Sequence, residues 1–346
     1  MGSEVRLPAE WEAQSGVQLT WPHPQTDWAP CLKEAVDCFV RIAREIAARE
    51  QLLVVTPDVA TTKKALKGVD MARVAIVPCD TNDTWSRDHG GITVLRGDEP
   101  VVLDYQFNGW GLKFPAGLDN RITGTLFDRS VFADAVAYGN RLSFALEGGA
   151  IESDGRGTIL TTSECLLSVN RNGGLSKEDI EGRLRADLGA SRLLWLDHGG
   201  LEGDDTDSHI DTLARFCSAD TIAYVHCDDE GDGHFEPLRR MREQLRTFTT
   251  ATGSHYRLLP LPMAEPIFFE GARLPATYAN FLIINGAVLV PFYETKKDAQ
   301  AAEILSAAFP ERDIVGIDCR VLIRQHGSLH CVTMQYPSGV LRKEAR

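Results

Sequence analysis

The sequence predicts an α/β fold: five successive units of β-hairpin, helix and strand closed into a propeller-like ring. Three observations carry that expectation. The order hairpin, helix, strand recurs along the chain, and turn-forming residues punctuate the hairpins. Small polar clusters also fall at the corresponding place in successive units, at intervals of 51–69 residues. Sequence identity between the units is negligible, so the repeat is one of pattern alone.

The opening unit is the least regular, with strands at Val17–Trp21, Leu52–Val55 and Val74–Val77 and a helix at Leu32–Ala47. Gly91–Leu95 and Val101–Phe107 form the next hairpin. In the third unit, Glu147–Ser153 turns at Asp154-Gly155-Arg156-Gly157 into Thr158–Thr162. A helix over Ser176–Leu188 follows, with Ser176 as N-cap and Asp179 three residues on, then a strand at Leu193–Leu196. The fourth unit runs Ile210–Phe216, Ile222–Cys227, helix Glu236–Thr249 and Tyr256–Leu259. In the fifth, Tyr278–Ile284 turns at Asn285-Gly286, a strong hairpin dipeptide, into Val288–Phe292. Helix Asp298–Phe309 and strand Asp313–Ile317 complete it. One domain over residues 1–346 accounts for the whole pattern.

Bulk properties narrow the function. A net charge of −13 and a pI near 5.2 disfavour nucleic acid and anionic membrane surfaces, which call for clustered Lys and Arg, and suit a cationic substrate. Met1–Glu10 lacks the apolar core of a secretory signal, and no apolar stretch reaches the ~20 residues that span a bilayer. Eight scattered cysteines without a C-x-x-C pair read as reduced thiols. A cytoplasmic protein is expected.

Asp88, Glu147, His209 with Asp211, and Asn280 each lie at or just before the first hairpin strand of a unit, and Cys331 opens the terminal strand. Rotation about a common axis would gather them at one end of the ring. Each has a plainer reading: a core thiol, a strand-end carboxylate, a surface ion pair. His326 and His330 lack the acid of H-E-x-x-H, and the Asp204–Asp207 run lacks the glycine and terminal Glu of a calcium loop, so no metal is expected. The paired glycines fit no nucleotide-binding motif. Trp85 and Trp110 flank the proposed site, where an aromatic face favours a cation.

Taken together, the motifs resemble the agmatine deiminase family of guanidine-modifying enzymes. The resemblance runs from Pro8-Ala9-Glu10-Trp11-Glu12 through Asp83-Thr84-Trp85-Ser86-Arg87-Asp88, Phe107-Asn108-Gly109-Trp110-Gly111 and Glu147-Gly148-Gly149. It continues through Gly203-Asp204-Asp205-Thr206-Asp207-Ser208-His209 to His330-Cys331-Val332-Thr333. It implies a five-bladed α/β propeller (pentein) and a homodimer. It also implies Cys331 as nucleophile, His209 as catalytic histidine, Asp88 and Asp211 as guanidinium-binding acids, and Glu147 as a further active-site carboxylate. Two departures stand out. Gln325-His326-Gly327-Ser328 replaces the consecutive glycines common before the His-Cys pair, and His89-Gly90-Gly91 replaces the common Gly-Pro after the aspartate.

The chemistry implied needs no cofactor. Two carboxylates grip a planar guanidinium bidentately and present its carbon to a thiolate. A histidine then serves the departing ammonia and the incoming water. Agmatine is the expected substrate, with Asp205 as the candidate partner of its distal amine and Asp207 as a loop cap. Arginine, free or peptidyl, is the alternative, with Arg87 as a candidate partner for a substrate carboxylate. A propeller used only for binding is the remaining reading.

Overall fold

The computed structural model describes residues 5–343. Their strands form five sheets of three or four strands and one separate two-stranded hairpin, Phe268–Phe269 with Ala272–Arg273. One plan recurs in the sheets: an antiparallel pair, then a crossover to a parallel third strand. In the fifth unit Leu282–Ile284 pairs antiparallel with Ala287–Phe292, and helix Lys297–Ala308 leads to the parallel strand Asp313–Asp318. Gly286 turns this hairpin at φ 74°, a conformation open to glycine at little cost. Ala214–Ser218, Thr221–His226 and Arg257–Pro262 repeat the arrangement around helix Phe235–Thr247. Ile151–Ser153, Thr158–Thr162 and Arg192–Leu196 do so around helix Lys177–Leu188. Ser176 and Asp179 close a reciprocal capping box on that helix, as the sequence pattern required.

The second unit pairs Ile92–Arg96 with Glu99–Gln106 and Ala137–Ala145, and Val5–Arg6 adds an edge strand. Its crossover holds a short helix, Ile122–Asp128, that the periodicity did not reveal. The opening unit takes its first strand from the far end of the chain. Thr333–Pro337 lies antiparallel to Gln14–Thr20, which is followed by the parallel strands Gln51–Thr56 and Val74–Pro78. Helix Leu32–Ala47 buries Ala35, Phe39, Ile42 and Ile46, a single stripe at helical spacing.

Helices also tie each unit to a neighbour. Lys297–Ala308 packs on Arg257–Pro262, Phe235–Thr247 on Arg192–Leu196, Lys177–Leu188 on Val5–Arg6, and Leu32–Ala47 on Asp313–Asp318. Among the described residues no helix is long and apolar enough to cross a membrane.

The sequence pattern extends three strands too far back. Where it continues through Glu147, Ile210 and Tyr278, the structure has 3-10 turns at Gly148–Ala150 and Ile210–Thr212 and irregular chain before Leu282. These segments carry buried polar side chains. Local bonds such as Ala150 N to Glu147 O (3.1 Å) and Thr212 N to His209 O (3.2 Å) satisfy their backbone groups where sheet pairing stops.

Candidate active site

Five chain segments converge at one end of these strands. The helical turn Ser86–His89 carries Asp88, and its Arg87 amide donates to the carbonyl of Cys331 (3.1 Å). Asp88 Oδ1 accepts from the Gly149 amide (3.1 Å) and Oδ2 from the Trp110 indole (3.0 Å). Trp110 reaches it because Gly109, Trp110 and Gly111 all take left-handed φ values of 65°, 55° and 83°. The Asn108 side chain holds that bend by accepting from Gly111 N (2.9 Å).

His209 Nδ1 stands 3.6 Å from Asp88 Oδ1. Asp211 Oδ2 lies 2.7 Å from His330 Nδ1 and 3.9 Å from Cys331 Sγ. Gly149 leaves room among them: a β-carbon there would sit 2.6 Å from His209 Nδ1, 2.8 Å from Asp88 Oδ1 and 3.2 Å from Asp211 Oδ2. The Glu-Gly-Gly motif thus keeps a slot between two carboxylates and an imidazole. Gly327 has a similar role further out, since its β-carbon would fall 2.2 Å from the Trp85 ring.

A cavity of about 350 Å³ opens onto this cluster, with Asp88 and Cys331 in its wall beside Trp85, Trp110 and Phe114. Asp27, Asp83, Asp205 and His326 also line it, and among the described residues no Lys or Arg does. Burial, with the charges of Asp211 and Asp88, pushes the Cys331 thiol well above its usual range. Burial also pushes Asp88 up to about 6; Asp211 and Glu147 add to the rise and His209 opposes it. Asp211 goes the other way: burial raises it, but the hydrogen bond and charge of His330 hold it low. His209 is lifted well above the usual imidazole range despite its burial, with Asp88 the chief cause. The cluster is short of positive charge, and a cation in the slot would lower the thiol and steady both aspartates.

Of the residues expected from sequence, Cys331, Asp88, Asp205, Trp85 and Trp110 line the cavity. His209 and Asp211 lie just behind it, both fully buried. Asn280 is not in the wall. Its side-chain oxygen accepts from His330 N (2.9 Å) and lies 3.4 Å from Cys331 Sγ, so it fixes the cysteine loop instead of facing a substrate. Glu147 is near His209 but is held by Arg171 Nε, at 2.9 and 3.0 Å from its two oxygens.

Arg171 was not foreseen. Its other nitrogens bond Asp207 Oδ2 (2.5 Å) and the Thr206 carbonyl (2.7 Å), joining the Glu147 segment to the Asp-rich loop. Nothing in Val169-Asn170-Arg171-Asn172 signals such a role. Asp207 is an ion-pair partner rather than a cap, bonded also by Lys113 (2.6 Å). The capping is done by Asp204, which accepts from Thr206 Oγ1 (2.6 Å) and Ser208 N (2.7 Å). Arg87 points away from the cavity, toward Glu10 (3.8 Å), and so cannot meet a substrate carboxylate there. Asp83, which the quoted motif contains, and Asp27 were also missed as wall residues.

Comparison with known proteins agrees with this geometry. A protein from Marinomonas sp. strain MWYL1, provisionally named an agmatine deiminase, is 33% identical over 350 residues, spanning 96% of this chain and 94% of its own. The crystal structure of a Porphyromonas gingivalis protein, provisionally described as an arginine deiminase, superposes with a TM-score of 0.95 at 52% identity, covering 98% of this chain and all of the other. A cysteine-to-serine variant of C. jejuni agmatine deiminase with substrate bound gives a TM-score of 0.91 at 39% identity, covering 98% and 97%. The family described as Porphyromonas-type peptidyl-arginine deiminase matches residues 6–337. The chain therefore belongs to that family, within the pentein superfamily of guanidine-modifying proteins.

Proposed function

We propose that this protein hydrolyses agmatine to N-carbamoylputrescine and ammonia through a covalent adduct on Cys331, as a step toward putrescine. Its five sheet units would form a five-bladed ring in a single domain, a reading supported by the helices that link each unit to a neighbour. A homodimer belongs to the same proposal on the family resemblance alone, and a cytoplasmic location on the eight free thiols.

The observation that carries the substrate reading is the cavity wall. It holds Asp88 and Cys331, with Asp211 3.9 Å from the sulfur, and adds three more acids, Asp27, Asp83 and Asp205. Trp85, Trp110 and Phe114 give the same wall aromatic surface. A molecule with a cation at each end of an apolar chain suits a wall of that composition, whereas a substrate carboxylate would meet four aspartates and, among the described wall residues, His326 as the one basic side chain.

In this mechanism the guanidinium enters the slot kept by Gly149, between Asp88 and Asp211. Its charge lowers the thiol, which gives up its proton to solvent as the guanidinium binds, and the thiolate Sγ adds to the central carbon as the C=N π pair moves onto nitrogen. His209 supplies a proton as the C–N bond breaks and ammonia leaves, so that an S-alkylthiouronium remains on Cys331. It then takes a proton from the incoming water; the new C–O bond forms, the C–S bond breaks, and the ureido product departs with the thiolate restored. Arg171 and Asn280 hold the acid loop and the cysteine loop in register.

Arginine, free or at a peptide end, is the second reading, favoured by the description of the matching family and by the Porphyromonas gingivalis structure. Ammonia release from agmatine, free arginine and an arginyl peptide, measured side by side, separates the two. Agmatine is expected to have the highest kcat/KM; faster turnover of either arginine substrate would overturn the assignment.

A further inference from the structure

Behind Asp211 lies a buried chain of polar contacts that the reaction steps above do not use. His330, the residue before the nucleophile, stands between two carboxylates: Nδ1 is 2.7 Å from Asp211 Oδ2 and Nε2 is 2.7 Å from Glu10 Oε2. Glu10 comes from the N-terminal segment, 320 positions away in sequence. It is itself fixed, accepting from the Ile283 amide (2.7 Å) and from Arg215 Nη2 (2.9 Å). Arg215 in turn bonds the Phe281 carbonyl (2.6 Å) and the carboxylate of Glu152. Every member is at least nine-tenths buried.

An imidazole can donate to two carboxylates only with hydrogen on both nitrogens. That state also balances the network, since Glu10, Glu152 and Asp211 then face Arg87, Arg215 and His330. The effect on Asp211 is specific. His330 fixes Oδ2, the oxygen that stands 3.9 Å from Cys331 Sγ and would lie 3.2 Å from a β-carbon at Gly149, and Oδ1 has no hydrogen-bond partner among the described residues. A carboxylate held by one oxygen cannot turn freely, so Oδ2 keeps its place at the slot while both oxygens retain lone pairs for a ligand.

We infer that Glu10 and His330 are a positioning pair for Asp211, through which the N-terminal segment sets the grip on a bound guanidinium. The kinetic part of the test rests on the proposed deimination, whereas the spectroscopic part does not. In the full-length protein labelled with ¹⁵N-histidine, without substrate, His330 should show two ring N–H protons, assigned by their loss in His330→Gln. In Glu10→Gln, whose amide can donate where the carboxylate accepted, one of them should vanish.

With agmatine, Glu10→Gln should raise KM about tenfold and change kcat less. In an Asp211→Asn background the same substitution should change KM less than twofold, because its only route of action is gone. If Glu10→Gln does not fold, Glu10→Asp, which withdraws the carboxylate by one methylene, carries the same arms. A single ring proton on His330 in the parent protein, or an equal rise in KM in both backgrounds, would overturn the inference. Two ring protons with no ammonia from any guanidine would strike the proposed reaction and leave the pair standing.

Discussion

Gly149→Ala is the sharpest perturbation the site offers, because it adds one methyl group to the slot and removes nothing. The added carbon would stand 2.6 Å from His209 Nδ1, 2.8 Å from Asp88 Oδ1 and 3.2 Å from Asp211 Oδ2, and real β-carbons essentially never come within 3.0 Å. His209 and Asp88 would each have to retreat by some tenths of an ångström, into surroundings where both are already buried. Overpacking of that kind costs about 1–3 kcal/mol of stability. At an unfolding entropy of ~2.1 cal/mol/K per residue, the melting temperature of a 346-residue protein should fall by only about 1–4 °C. Catalysis should suffer far more. The methyl group occupies the space assigned to the guanidinium, and a misplacement of ~1 Å in a reacting assembly costs about 10²-fold. The assay is ammonia release across a range of agmatine concentrations, run beside a thermal melt. Gly124→Ala is the control: it lies in helix Ile122–Asp128, its β-carbon would meet nothing within 4 Å, and it should be neutral or slightly stabilising. A folded Gly149→Ala protein with kcat/KM within threefold of the parent would refute the slot.

Three further outcomes follow from the same geometry. Asp207→Asn should lower kcat/KM about tenfold, measured on agmatine, because it removes the charged half of the hold that Arg171 and Lys113 have on the acid loop and leaves only their bonds to the Thr206 and Asp205 carbonyls. The profile of kcat/KM against pH should show an acid limb: Asp88 is raised to about 6, so it gains a proton and loses its hold on the cation as pH falls through that value. A profile flat from pH 5 to 7.5 would contradict it. Asp119 is pushed up to about 7 by burial, so the folded protein binds its proton more tightly than the unfolded chain does. Stability is then lost as pH rises from the ordinary carboxylate range toward 7. Asp119→Asn keeps the oxygen that accepts from Asn82 N (2.7 Å), and its melting temperature relative to the parent should climb between pH 5 and pH 8.

The repeat was legible because its signals are local. Asn285-Gly286 marks a hairpin, Ser176 and Asp179 mark a helix start, and the stripe of Ala35, Phe39, Ile42 and Ile46 has helical period. The site residues themselves distort the reading: the pattern runs strands through Glu147, Asp211 and Asn280, yet the observed strands start only at Ile151, Ala214 and Leu282, and the chain bends before them where these polar groups sit. Their convergence could be expected only from pseudo-rotation, which located Asp88, His209, Asp211 and Cys331 but not what surrounds them. Arg171, Glu10 and His330 act through contacts between distant segments, and no spacing encodes those. Asn280 illustrates the limit: its position in the repeat was read correctly, but the direction of its side chain was not.

The most direct test of a covalent, cysteine-dependent deimination is acid quench during agmatine turnover, followed by peptide mass spectrometry. The account predicts an amidino adduct on the peptide that contains Cys331, on none of the other seven cysteines, and no ammonia release from a folded Cys331→Ala protein. Ammonia release by Cys331→Ala, or an adduct on a different cysteine, would contradict it.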